Sequence, residues 1–217
     1  TLEFGEPAIY GIHYEEIAGN ARSKVVWEKL DKATRRAWPH PLGFDLVPMR
    51  WGVDSGYIPE IVQKFIVPRH GRNFSCCLGA RTLGAPPYGG TRRLPPYKAK
   101  TMTFGADALK SELFSKYADD GGPQPIKFPA VTHAGFDEFF FSGLFESEAA
   151  EIVRAGRSSF VHYEKIKGPA VPRNEPLDCV CGCLGLRHTI RDSDRAIYAG
   201  LVNRARLARE EDEEDEG

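Results

Sequence analysis

The sequence predicts an α+β, helix-rich fold, with about five helices, one short β-hairpin, long irregular Pro/Gly-rich loops and an extended N-terminal arm. Three observations predict it. Apolar residues recur at helical spacing in several separate stretches. Only the segments 158–166 and 177–190 alternate as strands do. Glycine and proline together make 38 of 217 residues, about 18% against a usual ~12%, which lengthens the connections.

Residues 1–19 hold two early glycines, a proline and no helical stripe, so they read as the extended arm. Asn20 or Ser23 caps a first helix running to Ala37, with Val25, Val26, Leu30, Ala33 and Ala37 on one face and Trp38-Pro39 ending it. A second, short helix begins at Pro59, a residue suited to a first helical turn. Its Ile58, Ile61, Val62, Phe65 and Ile66 fall on one face. Residues 68–101 then lose periodicity, and their dense glycines and prolines predict an irregular loop. A third helix spans 106–118 through Leu109, Leu113, Phe114 and Tyr117.

The most apolar stretch, 136–145, reads as a helix buried on more than one side and continuing to a stop at Gly156. Phe141 is the ring expected to meet a partner. Asp192 and Ser193 open a last helix that runs into an acidic tail. The domain reading is therefore an arm at 1–19, one globular domain at 20–209 containing the loop 68–101, and a tail at 210–217.

The net charge of −1 conceals a division: seven acids occupy 210–216, and residues 1–209 carry 29 bases against 23 acids. Between 61 and 106 there is no acid at all. The partner or anion contacts predicted there are Arg69, Arg72, Arg81, Arg92, Arg93, Lys98 and Lys100. Aromatics between these cations suit RNA, an anionic lipid surface or an acidic protein face. The tail is expected to be held by the 64–100 stretch or a neighbour's basic face. No apolar run reaches the ~20 residues of a membrane span.

Five cysteines, an odd number, read as thiols of an intracellular, reducing compartment. Cys179, Cys181 and Cys183, with His188 beyond, bring zinc to mind, since thiolates and imidazole are its ligands. One-residue spacing, however, favours small apolar side chains on one face of a buried strand, with no metal. The carboxylate pairs Glu15-Glu16, Asp119-Asp120 and Asp137-Glu138 read as solvated or first-turn charges.

Arg69-His70-Gly71, after the apolar stretch 61–67, resembles the motif of histidine phosphatases. The resemblance implies a nucleophilic His70 with Arg69 and Arg72 holding phosphate oxygens, and His133 as the second histidine. No phosphate-cradling loop, nucleophile elbow or His-Glu-x-x-His is present.

The favoured reading is a non-catalytic accessory subunit of a large assembly, organellar and mitochondrial, with other protein subunits as partners and no cofactor. The chain starts at Thr1, which fits a processed chain or a piece of a longer product. The alternatives are the phosphate-handling enzyme and an RNA- or lipid-contacting subunit.

Overall fold

The computed structural model of the chain describes residues 8–40, 42–118, 122, 124–131 and 135–215. Of residues 197, 198 and 209–215 it describes the backbone alone. In chain order the elements are β1 (Ile9–Tyr10), α1 (Lys24–Ala33), β2 (Trp38–Pro39), β3 (Asp45–Leu46), β4 (Trp51–Asp54) and α2 (Pro59–Ile66). A 3₁₀ segment (Val67–Arg72) leads to β5 (Phe74–Gly79), β6 (Gly90–Leu94), β7 (Ala99–Phe104) and α3 (Ala106–Ala118). There follow β8 (Ile126–Lys127), α4 (Glu138–Phe145), β9 (Glu148–Ala155), β10 (Ser158–Lys165), α5 (Glu175–Arg187) and α6 (Asp192–Asp215).

The fold is mixed α/β, which corrects the helix-rich expectation. Its centre is a four-stranded sheet in the order β4-β5-β7-β6. The first three strands are parallel, and β6 is antiparallel to β7. Two of these strands, β5 and β6, lie inside the stretch that reads as an irregular loop, and β7 begins in it. Their glycines and prolines punctuate the turns between short strands, and residues such as Ser75, Thr101 and Thr103 interrupt the apolar signal within them.

Side-chain alternation sorts the sheet into two faces. Phe74 and Cys76 of β5 and Ala99 of β7 join Val62, Phe65 and Ile66 of α2 in one core. Met102 and Phe104 of β7 point the other way, joining Leu109 and Leu113 of α3, Phe140 and Leu144 of α4, and Leu177, Cys181 and Leu184 of α5. Helices thus cover both faces of a largely parallel sheet, the arrangement that buries such strands. Burying a Phe or Leu stabilises by about 1.5–3 kcal/mol, so these two cores decide the layering.

Two further elements differ from expectation. Residues 177–190 form no strand; α5 occupies most of them. The continuation after Phe145 is β9, which pairs along its length with β10 as an antiparallel hairpin. The short helix from Pro59 and the helix of 106–118 lie where their spacing puts them. In α4, Asp137 caps the helix by accepting the Phe140 backbone N–H at 2.8 Å. Phe136, Phe140 and Leu144 are buried. Phe141 is half-buried within the aromatic cluster of this chain, against Phe128, Phe140 and Phe145, and Phe139 is the exposed ring. The arm's Ile9–Tyr10 pairs in parallel with Ile126–Lys127. The side chains of the acidic tail from 210 onward lie outside the described residues. No helix among the described residues is long and apolar enough to cross a membrane.

Candidate active site

The three parallel strands β4, β5 and β7 run in one direction, so their C-terminal ends share one edge of the sheet. In open α/β sheets this edge forms the crevice where ligands bind. Here it opens onto a cavity of about 760 Å³ that extends along β4 from Arg50 and whose wall at this edge includes Asp54, Gly79, Phe104, Lys110, Asp178 and Cys183.

Asp54 is the last residue of β4. Trp51 and Val53 pack toward the α2 core, so alternation turns Gly52 and Asp54 the opposite way. Asp178 stands in the first turn of α5, an end that favours negative charge. Asn174, the residue before α5, donates from one amide nitrogen to both Asp178 and Glu148, at 3.0 Å each. Glu148 is buried and takes an ion pair from the buried Lys110 ammonium at 2.5 Å. A polar chain thus runs Lys110, Glu148, Asn174, Asp178, from the packed layer to the cavity wall.

The Asp178 carboxyl is pushed above the ordinary carboxylate range. Burial is the largest cause, opposed by Lys110 and reinforced by the negative charges of Glu148 and Asp54. Two carboxylates from different elements therefore repel one another across one cavity. That repulsion is what a divalent cation relieves, and two carboxylate oxygen donors suit magnesium or manganese. Among the described residues no three His, Cys, Asp or Glu side chains gather as a complete metal cage. Magnesium, held by one or two carboxylates with water and substrate phosphate, does not require one.

Glycine brings α5 close enough to place Asp178. A Cβ on Gly185 would lie 2.8 Å from the Phe104 ring, and one on Gly52 would lie 3.0 Å from Leu186 of α5.

The residues that the sequence singles out are placed elsewhere. Arg69-His70-Gly71-Arg72 sits in the 3₁₀ segment between α2 and the start of β5, at the sheet end opposite the C-terminal edge. Arg69 Nε and Arg72 Nη1 both donate to Asp31 Oδ1, at 2.7 and 2.9 Å, and Arg69 covers the Phe65 ring at 3.9 Å. These bonds, the Arg69 one foremost, hold the Asp31 carboxyl well below the usual range. His70 Nε2 accepts the Lys100 backbone N–H at 3.2 Å, and His133 lies outside the described residues. Both guanidiniums tie α1 to the segment after α2.

On a helix, Cys179 and Cys183 share a face while Cys181 points into the core. His188 bonds Glu112 at 2.7 Å. Arg81, Arg92, Arg93 and Lys98 are exposed, and Lys100 is half-buried.

Asp54, Lys110, Glu148, Asn174 and Asp178 were not singled out from sequence. The available signal was a short alternating run, Trp51-Gly52-Val53-Asp54, stopped by Ser-Gly, which places a carboxylate at a strand end.

No curated protein and no solved structure shows a significant match to the chain. A family model does, over residues 4–195: that of the terminase large subunit gpA, endonuclease domain. This overturns the non-catalytic accessory subunit and its mitochondrial setting, because the matched family is named for an endonuclease. A match over this share of its length shows that the chain belongs to the terminase large subunit gpA endonuclease-domain family.

Proposed function

We propose that this chain hydrolyses DNA phosphodiester bonds as part of a phage DNA-packaging terminase acting in the host cytoplasm, with Asp54 and Asp178 as the catalytic carboxylates. The observation that carries the reading is their convergence on one cavity at the C-terminal edge of the parallel strands, in a chain of an endonuclease family. Its partners are then DNA and other packaging proteins; RNA and lipid have no support.

Asp54 and Asp178 would hold the divalent cation. When bound, such a cation neutralises phosphate charge and lowers the pKa of a coordinated water. The chain's own contribution is positional. Asn174 fixes the Asp178 carboxylate by one hydrogen bond and leaves its other oxygen to the cavity. Glu148 orients Asn174, and Lys110 neutralises Glu148 so that the buried pair stays in place. Phe104 and Leu109 wall the cavity and exclude water from one side.

Nicking of supercoiled plasmid with magnesium or manganese tests this. Asp54→Asn and Asp178→Asn are each expected to remove cleavage while the chain stays folded. Wild-type nicking by Asp178→Asn would overturn the assignment.

A further inference from the structure

At the opposite end of the parallel strands the chain gathers cations that the proposed chemistry does not use. Arg50 immediately precedes β4. Lys100, in the first half of β7, lies directly opposite Arg93 of β6. Like charges placed opposite on paired strands are destabilising. Arg93 reaches over the turn to donate to the Lys98 carbonyl at 3.0 Å. Arg50 Nη2 and the Arg191 backbone N–H both donate to one Asp194 oxygen, at 2.6 and 3.0 Å, which brings Arg191 to the same end.

Arg50 and Arg191 thus meet at one carboxylate, Arg93 and Lys100 face each other on paired strands, and the segment 61–106 that holds the second pair contains no acid. Their mutual repulsion is felt in the Lys100 ammonium, which burial first, and then Arg50, Arg191 and Arg93, push below the usual range. Arg50 Nε is buried with no acceptor among the described residues. An uncompensated positive cluster costs stability unless an anion meets it.

We infer that Arg50, Arg93, Lys100 and Arg191 form a second contact for the phosphate backbone of duplex DNA, at the opposite strand end from the two catalytic carboxylates. This rests on the nuclease reading for the identity of the polymer. Spacing supports one duplex reaching both places. From Arg50 to Asp54 is four strand residues, ~13 Å, or about four base-pair steps at ~3.4 Å each. Both residues line the same cavity.

The test is fluorescence anisotropy of a labelled duplex of about 30 base pairs, in chelator so that cleavage does not contribute, across a salt series. Arg93→Gln with Arg191→Gln removes two exposed charges and is expected to weaken binding about tenfold at ~0.1 M salt. It should also flatten the plot of log affinity against log salt by about 1.8, or ~0.9 for each lost phosphate contact. Lysine at both positions should restore the slope, which separates charge from misfolding. Lys29→Gln with Lys32→Gln, on the exposed face of α1, should leave the slope alone.

An unchanged slope in the first variant, or an equal loss in the α1 control, overturns the inference. So does saturable displacement of the duplex by inorganic phosphate at constant ionic strength, which would mark a small-anion site instead. If the parent chain binds through these residues but never nicks, the inference stands and the nuclease reading falls. If nicking depends on Asp178 while the slope ignores Arg93 and Arg191, the reverse holds.

Discussion

Asp178 joins function and instability in one side chain. Its carboxyl is raised by burial and by facing Glu148 and Asp54. At low pH the folded and unfolded chains both carry the proton, and the group does not affect stability. As pH rises through the raised folded value the unfolded chain has already ionised, so the folded state loses ground. Asp178→Asn should therefore raise the melting temperature at pH ~7, make no difference near pH ~3, and abolish nicking. Magnesium should raise the melting temperature of the parent chain and not of this variant. A variant less stable than the parent at neutral pH would contradict the electrostatic account. Lys110 makes the complementary case. Lys110→Met leaves Glu148 charged and unpaired in the interior, at an expected cost of about 3–5 kcal/mol in denaturant unfolding. Adding Glu148→Leu should recover much of that loss, because it removes the orphaned charge.

Helix α5 carries this chemistry only because it packs unusually near the sheet. At Gly185 a Cβ would sit 2.8 Å from the ring of the buried Phe104, with no space to yield. Gly185→Val should cost about 1–3 kcal/mol and lower nicking as well, since moving α5 moves Asp178. Stability loss with full activity would show that the helix end is positioned independently. The same helix explains what the sequence could and could not reveal. Cys179, Cys181 and Cys183 repeat every second residue, as a strand does. Yet the apolar residues Leu177, Cys181, Leu184 and Gly185 follow the helical period of a segment packed against α3, α4 and β4. Helices α2 and α3 were legible because each buries a single stripe. Strands β5 to β7 were hidden because their hydroxyl residues and short turns resemble a loop. The basic character of 64–100 was legible. Its division was not, since Arg69 and Arg72 are committed to Asp31, far off in sequence, while Arg50 and Arg191 join Lys100 from outside the stretch.

For the whole molecule, layering assigns each thiol a distinct exposure. Cys76 lies in the core under α2 and Cys181, 5% exposed, in the core under α5 where it only grazes the cavity, while Cys179 and Cys183 are exposed on the cavity wall and Cys77 is half-buried beside them. Reaching the cavity wall does not make a thiol reactive. Its surroundings, burial foremost, push the Cys179 thiol up to about 12. At pH ~8 its thiolate fraction is then ~10⁻⁴, against roughly a quarter for an ordinary thiol. The higher basicity returns part of the difference as nucleophilicity, so alkylation of Cys179 should run about 10²-fold slower than that of free cysteine. Cys179 and Cys183 should nevertheless be the first modified in the folded chain, with Cys76 and Cys181 reacting only on unfolding. Because both thiols line the cavity with Asp178, a bulky maleimide there should block nicking, and Cys179→Ser with Cys183→Ser should resist it. Bound duplex should slow the labelling further. Mass spectrometry of peptides after timed alkylation reads all of this at once. Labelling of Cys76 or Cys181 as fast as Cys179 would mean that the helical layers do not close over the sheet.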